Sequence, residues 1–185
     1  MTGIDWTTEL VDQLDWHWTY QARARLEGLS DAEYFWEPVP GWNVRRRTHA
    51  TPADAPGSGA FTIDFIVPEP DPAPLTTIAW RLSHLQVGVL GARLASHFGG
   101  PQVDYQGYDY PGTAAVALDR LDGAYAAWIA GVRSLGEAGL ARPCGPAEGP
   151  YASSPMATLV LHINREMIHH LAEAALLRDL YANQH

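Results

Sequence analysis

Apolar side chains recur at intervals of three and four residues in four stretches of the chain, and this period is that of amphipathic helices. The predicted helices run from Asp5 to Gly28, from Leu75 to Phe98, from Thr113 to Leu135 and from Pro155 to Tyr181. Thr76 or Thr77 can cap the second helix, and Ser154 can cap the fourth. The pattern therefore predicts an all-α fold, a four-helix bundle with long loops between its helices.

The segment from Ser30 to Pro74 interrupts this pattern, because eight of its residues are proline. Residues 61–67, FTIDFIV, are predicted to form a short extended segment, and a single strand does not make a sheet. The arginines at 45–47 are interpreted as a solvated turn. Since Trp36 and Trp42 supply apolar surface for packing on the core, we predict that this long segment covers a pocket.

The composition narrows the classes of protein that the chain can belong to. A length of 185 residues suits one well-buried core, so we expect a single domain over residues 1–185. The formal charge of -9 repels phosphate backbones, so nucleic acid is not an expected partner. No apolar stretch reaches membrane-spanning length, the first residues do not resemble a signal peptide, and there is one cysteine, so we expect no membrane partner and a cytoplasmic location.

The fourth predicted helix carries polar groups on its apolar face. His170 lies in the stripe that contains Met167 and Ala174, and Glu166, four residues earlier, points nearly the same way. Burying an unpaired ionised group costs several kcal/mol, so each group needs a partner. The spacing allows two solutions: a mutual hydrogen bond, or a cation that both side chains bind.

The second predicted helix adds His84, which a bundle can bring to Glu166 and His170. Two nitrogens, one oxygen and a vacant position are the arrangement of catalytic zinc, and nickel, iron or manganese also suit these ligand types. The residues leave open a metal-free cluster in which Glu166 pairs with both histidines. Gly88 and Gly91 cost about 1 kcal/mol each in a helix, which suggests that close helix approach or free space is needed beside His84.

Two further histidines of the fourth helix lie near the predicted site. His162 stands eight residues before His170, about 12 Å along a helix axis, so these two side chains and Glu166 cannot all share one tetrahedral ion. His169 points away from His170 by about 100°. We therefore expect His169 to interact with Glu173 or Glu166 as an orienting or surface group.

The remaining candidates have less specific signals. Arg81 is interpreted either as a binding group for a substrate carboxylate or as a surface ion pair, and Trp42 as a residue that can pack on a substrate. Cys144 is expected to be an incidental loop residue, because no local basic cluster would lower its pKa. Three tyrosines of one loop can either line the mouth of a cleft or lie on the surface; they are Tyr105, Tyr108 and Tyr110.

Two sequence runs resemble the second and fourth helix signatures of the DinB-like superfamily. They are WRLSHLQVGVLGARLASHFGG and HINREMIHHLAEAALLRDLY. This superfamily includes the mycothiol-dependent maleylpyruvate isomerases and the bacillithiol transferases, and the resemblance covers most of the chain. Its four-helix bundle holds a divalent metal with one histidine of the second helix and two ligands of the fourth, four residues apart. The resemblance therefore implies that His84, Glu166 and His170 are the metal ligands.

The glutamate at position 166 resembles the ligand set of the mycothiol-dependent isomerase branch, since many DinB-like proteins have histidine there. The resemblance implies a divalent metal, zinc first and nickel as an alternative. It also implies a low-molecular-weight, mycothiol-like thiol, used in transfer to, or isomerisation of, a small electrophile. An additional carboxy-terminal domain of that isomerase has no counterpart here. We therefore expect this chain to share the thiol-binding metal site of the isomerase but not the isomerisation reaction.

Two alternatives to this function stay open at the level of sequence. One is a stress-associated bundle that binds metal without catalysis, and the other is a hydrolase that uses a metal-bound water. The expected partners are a small-molecule thiol and an electrophile. A homodimer is also considered, because seven tryptophans leave enough apolar surface for one, although no interface can be assigned.

Overall fold

The structure is a computed structural model that describes residues 3–184, and 57% of these described residues are helical. The α-helices are α1 (Trp6–His17), α2 (Arg23–Arg25), α3 (Asp31–Tyr34), α4 (Ile78–His84), α5 (Ala92–His97), α6 (Ala114–Arg133), α7 (Gly136–Ala141) and α8 (Met156–Ala182). π-helical segments at Trp18–Ala22 and Leu85–Gly91 join α1 to α2 and α4 to α5, and a 3-10 helix spans Pro146–Tyr151. The predominantly helical fold is confirmed.

The long helical segments begin and end close to the predicted positions because the expected capping residues are in place. The Thr77 side chain accepts a hydrogen bond from the Trp80 amide at the start of α4, and Thr113 caps α6 in the same way. The start of α8 differs from the prediction. Pro155, rather than Ser154, occupies the N-cap position there and forms no side-chain cap.

A small sheet in the segment after α3 was not predicted. Strand β1 (Val44–Arg46) pairs antiparallel with β2 (Phe61–Ile63), so residues 61–63 are not an isolated extended segment. Val44 and Ile63 face each other in the register, and both side chains are buried. The burial of these two side chains explains why the strands pair. Arg45 therefore lies in a strand and forms an ion pair with Asp64, rather than lying in the predicted solvated turn.

Helices α1, α4, α6 and α8 meet in the hydrophobic core. Leu14 from α1, Leu82 from α4, Trp128 from α6 and Ile163 from α8 are all fully buried. Helix α4 packs directly against α8, which brings the second and fourth predicted helices beside each other. Over residues 3–184, no helix combines the length and the apolar character needed to cross a membrane.

The segment between α3 and α4 packs on this core, as predicted. The Trp42 amide donates to the Leu75 carbonyl at 2.7 Å, and the Trp42 carbonyl accepts from the Thr77 amide at 3.0 Å. The Trp42 ring lies 5.8 Å from the ring of Trp80, measured between centroids. These contacts fix the covering segment to the first turn of α4, one turn from His84.

Candidate metal centre

The three predicted ligands lie together where α4 packs against α8. His84 is the last residue of α4, and Glu166 and His170 stand one turn apart on α8. Each of the three side chains offers one ligand atom, and these atoms all lie within 4.8 Å of one another. The geometry therefore allows the three side chains to bind one ion, as the sequence predicted.

The separation of the donor atoms fits a shared cation better than a mutual hydrogen bond. The Nε2 atom of His170 is 3.6 Å from Oε2 of Glu166, whereas an N–H···O hydrogen bond spans about 2.7–3.2 Å. Two ligands of one tetrahedral ion with bonds of about 2.0–2.1 Å stand about 3.3 Å apart. The Glu166–His170 pair thus has a separation closer to that of two ligands of one cation than to that of a direct hydrogen bond.

Both histidines are held in the neutral form that a metal ligand requires. Burial lowers the pKa of His84 to about 4, with the nearby charge of Glu166 opposing the shift and that of Arg81 adding to it. Burial likewise lowers the pKa of His170 to about 3, with His84 and Arg81 contributing in the same direction. At neutral pH each imidazole therefore has one unprotonated nitrogen, and it can bind a metal without first losing a proton.

Aromatic residues fix the ring of His84. Its Nδ1 atom lies 2.6 Å from the hydroxyl of Tyr105, which leaves Nε2 for other contacts. Trp80 stacks on the imidazole with its ring centroid at 5.1 Å and an interplanar angle of 15°. Tyr105 in turn stacks on Phe65 at 4.5 Å, and burial raises the pKa of the Tyr105 phenol, so it stays protonated. The orientation of His84 is thus set from two sides.

The role expected for Gly88 needs a correction. A Cβ atom at this position would lie 2.3 Å from the Tyr105 hydroxyl oxygen and 3.2 Å from the His84 ring. The space beside Gly88 is therefore filled by Tyr105 and is not an open coordination position. At Gly91, a Cβ atom would lie 2.6 Å from Val103, so close packing explains this glycine as well.

Arg81 forms an ion pair with Glu173, so the structure favours the second of its two interpretations. The side chain of Arg81 is only 12% exposed, which makes the pair mostly buried rather than a surface contact. Burial lowers the pKa of Arg81 to about 10, so the guanidinium is still charged at neutral pH. With Glu173 as its partner, Arg81 does not present a free charge to a substrate carboxylate.

The sequence reasoning missed the contact between Glu173 and His170. The Nδ1 atom of His170 lies 3.5 Å from Oε2 of Glu173 and 3.3 Å from Nη1 of Arg81. The spacing of three residues on one helix was the signal that could have revealed it. His169 lies 3.2 Å from the same carboxylate, which is one of the two partners expected for it.

The other candidates lie outside the centre. His162 is not one of the three gathered ligands, but its Nδ1 atom lies 3.5 Å from Oε1 of Glu166 as well as 2.7 Å from the Arg165 guanidinium. The Cys144 thiol lies 3.4 Å from the Pro155 carbonyl oxygen, and burial raises its pKa, so it is not an activated nucleophile. Tyr108 donates to Gln86 at 2.6 Å and Tyr110 to the Tyr105 carbonyl at 2.9 Å. Through these hydrogen bonds the two tyrosines stabilise the loop that carries Tyr105, and they do not line the mouth of a cleft.

A cavity of about 770 Å³ is lined by residues of the segment between α3 and α4 and does not include the three candidate ligands. Trp42 and Phe65 form part of its wall, together with Arg45 and Arg46. Through Trp80, which is in contact with Trp42, and through Tyr105, which stacks on Phe65, this wall reaches the ring of His84. Two aromatic rings therefore stand between the cavity and His84 on each route, Trp42 and Trp80 on one and Phe65 and Tyr105 on the other.

The fold and the site define a predominantly helical protein with two histidines and a glutamate gathered at a helix interface. The sequence profile of the DinB superfamily matches residues 13–174, so the chain belongs to the DinB superfamily. The family inferred from the two helix signatures is confirmed. Comparisons with curated proteins and with solved structures find no match. The three metal ligands stay a prediction that the geometry permits.

Proposed function

We propose that the protein is a divalent-metal-dependent enzyme that transfers a low-molecular-weight, mycothiol-like thiol to a small electrophile. The observation that carries this proposal is the convergence of neutral His84 and His170 with Glu166, at separations that suit one shared cation. Membership of the DinB superfamily supports it. Zinc is the first candidate metal and nickel the second, because imidazole and carboxylate ligands suit both.

We infer that the long helical segments form the predicted four-helix bundle, within one domain over residues 1–185. Helix α1 packs against α6 and α8, and α4 packs against the same two helices. This pattern is the one expected when each segment contacts its neighbours around a common core. It supports placing the metal between facing helices.

His84, Glu166 and His170 would hold the metal and leave one tetrahedral position free. A divalent cation bound there would supply the Lewis acidity that favours ionisation of a thiol near neutral pH. The reaction would form a carbon–sulfur bond and break either the bond to a leaving group such as chloride or a carbon–carbon double bond of the electrophile. The proton that the thiol loses goes to solvent in the first case and to the neighbouring carbon in the second. Cys144 takes no part, since its thiol is buried against a backbone carbonyl.

The protein itself would position the reactants and keep water away. Trp80 covers one face of His84, and the stacked pair of Tyr105 and Phe65 closes the neighbouring side. The cavity bordered by Trp42 and Phe65 is separated from the ligands by aromatic rings, so the electrophile that reacts with a metal-bound thiol would have to bind elsewhere, in contact with the three ligands. Arg45, which also lines this cavity, is neutralised by its contacts with Asp64 and Glu37 and offers no free charge.

The first experiment measures the metal content of the purified protein beside three variants. His84→Ala and His170→Ala each remove one ligand, and we expect both to lose a divalent ion that wild type holds at about one per chain. His169→Ala is the matched control, because His169 is the neighbouring residue and is more exposed. If wild type binds neither zinc nor nickel after incubation with each, the proposed metal site is wrong.

A second experiment separates catalysis from metal binding alone. The metal-loaded protein is mixed with a cysteine-derived thiol and a chloronitrobenzene, and the free thiol is followed by titration. We expect faster loss of thiol than with the His170→Ala variant, since that variant lacks the metal. A protein that holds metal but neither binds nor consumes the thiol would instead support the non-catalytic, stress-associated alternative.

A further inference from the structure

Exposed apolar side chains follow the groove between α8 and the first helical segment, residues 6–25. Large apolar residues of a soluble protein are mostly buried, and a contiguous exposed patch of them marks an interaction site. Of the thirteen large apolar residues that are exposed within residues 3–184, six lie along this groove, which we call the α1–α8 face. They are Trp6, Trp16, Tyr20, Leu161, Ile168 and Leu176.

Two cavities lie one after the other along this groove. The first, of about 410 Å³, has Gln13 on one side and Ile168 on the other. The second, of about 500 Å³, lies between Tyr20 and the later turns of α8. Trp6 stands seven residues before Gln13 and Trp16 three residues after it, so helical spacing places both on the same side. The exposed apolar residues therefore form one face and are not scattered.

The two elements that form the face run in the same direction with a constant register. The side chain of Asn164 donates to the Leu10 carbonyl at 2.8 Å, and near the other end Arg25 pairs with Asp179. The difference in residue number is 154 in both contacts. Each position of the first segment therefore stands level with the position 154 residues later on α8.

This register sets each aromatic side chain of the first segment at the level of an apolar side chain of α8. The two members of each pair differ in level by one or two residues, which is about 1.5–3 Å along a helix. A second copy related by a two-fold axis parallel to the groove keeps these levels and lays its first segment on α8 of the original copy. The pairs are Trp6 with Leu161, Trp16 with Ile168 and Tyr20 with Leu176.

The charges along the face are complementary under the same rotation. Glu9 is exposed, and no ion pair within residues 3–184 includes it. Arg165 is 71% exposed, and in the described chain the one carboxylate within 4 Å of it is that of Glu166, at 3.9 Å. Glu9 stands two residues, about 3 Å, from the level of Arg165 of the partner subunit. The formal charge of -9 repels a second copy in general, so this local pairing matters for association.

We propose that the α1–α8 face is the interface of a symmetric homodimer of this protein. A two-fold interface requires a patch that is complementary to itself, and both the apolar levels and the charges of this face meet that requirement. The predicted metal ligands stay outside the interface. His170 follows Leu161 by nine residues, which is half a turn around α8, so the metal centre lies on the opposite side of the helix.

The first test measures the oligomeric state by sedimentation velocity over a dilution series. We expect wild type to form a dimer, and Ile168→Glu and Leu161→Glu each to raise its Kd more than about 100-fold, because both bring unpaired charges into the apolar interface. Val116→Glu is the matched control, since Val116 lies on α6 and its exposure of 41% is close to the 38% of Ile168. Circular dichroism is expected to show the wild-type helix content in all three variants, because these side chains are on the surface.

A charge exchange tests the two-fold arrangement itself. Glu9→Arg and Arg165→Glu are each expected to raise the Kd of the dimer about 10-fold, since each brings like charges together. The double variant restores the pairing with the signs reversed, so its Kd is expected to return to within about 3-fold of wild type.

Three outcomes would overturn the proposal. One is a wild-type chain that stays monomeric at every concentration, which would leave the face for a different molecule. Another is a dimer that Ile168→Glu and Leu161→Glu leave intact, which would place the interface elsewhere. The third is a double charge variant as weak as the single variants, which would exclude this two-fold pairing.

Discussion

At the scale of single residues, the centre depends on contacts that hold each imidazole ring in one orientation. Tyr105 contacts Nδ1 of His84, and Glu173 lies beside Nδ1 of His170. The spacing of Glu166 and His170 was visible in the sequence, because four residues form about one helical turn. The partner of His84 was not visible, since Tyr105 comes from a loop 21 residues away.

Gly88→Ala tests the link between Tyr105 and His84. The added methyl group would lie 2.3 Å from the Tyr105 oxygen, so the hydroxyl must move away from His84. We expect the free energy of unfolding to fall by about 1–3 kcal/mol and zinc affinity to fall as well. Urea denaturation and chelator competition measure the two effects.

Gly123→Ala is the control for this substitution, because it is helical and a Cβ atom there meets nothing within 4 Å. It should stabilise the protein by about 0.5–1 kcal/mol without changing zinc affinity. If Gly88→Ala and Gly123→Ala have the same free energy of unfolding and the same zinc affinity, Tyr105 does not need the space beside Gly88.

At the scale of elements, the covering segments are held to the helices by buried polar contacts that periodicity does not reveal. Glu148, in the 3-10 helix, lies 2.9 Å from His97 and 3.2 Å from Arg93, both on α5. The exposed fraction of the Glu148 side chain is 8%. His97 is the last residue of α5, and its partner Glu148 comes from a distant part of the chain.

Glu148→Gln is expected to lower the free energy of unfolding by about 3 kcal/mol, because it leaves Arg93 without its anionic partner. The exposed Glu137 of α7 is the control, and Glu137→Gln should leave stability unchanged. Urea denaturation monitored by tryptophan fluorescence compares the two. A wild-type midpoint for Glu148→Gln would mean that this cluster does not hold the 3-10 helix to α5.

At the scale of the whole molecule, the low pKa values of the two histidines make the metal-free fold sensitive to acid. The pKa is about 4 for His84 and about 3 for His170, against about 6.5 in an unfolded chain. Above pH 6.5 both imidazoles are neutral in the folded and in the unfolded chain, and the two histidines do not lower the free energy of unfolding. As the pH falls toward 4, only the unfolded state takes up these protons, so the folded state loses stability.

We expect the free energy of unfolding of metal-free protein to fall by about 1.4 kcal/mol per pH unit for each histidine in this interval. Urea titrations at several pH values measure the slope. His84→Gln and His170→Gln should each flatten it, since glutamine does not titrate. Zinc at 100 times its Kd should add about 2.7 kcal/mol at neutral pH. A slope that neither variant changes would show that other groups cause the acid sensitivity.

The helical segments, the Thr77 cap, the family and the group of side chains gathered at α4 and α8 could all be predicted from the sequence. The helical segments and the pairing of Glu166 with His170 depend on local period and spacing, which act within a few turns of one helix. That His84 joins this pair was expected from the bundle and from the resemblance to the DinB-like superfamily. The predicted homodimer, like the thiol and the electrophile, stays a prediction.

The sheet, the π-helical segment after His84 and the partners that orient the two histidines became visible only in the folded chain. Val44 pairs with Ile63, Tyr105 reaches His84, and Arg81 reaches Glu173 across helices, between residues distant in the chain. Such contacts depend on which surfaces the packed core brings together. A local pattern carries no information about them, because the same spacing is compatible with many arrangements of neighbouring elements.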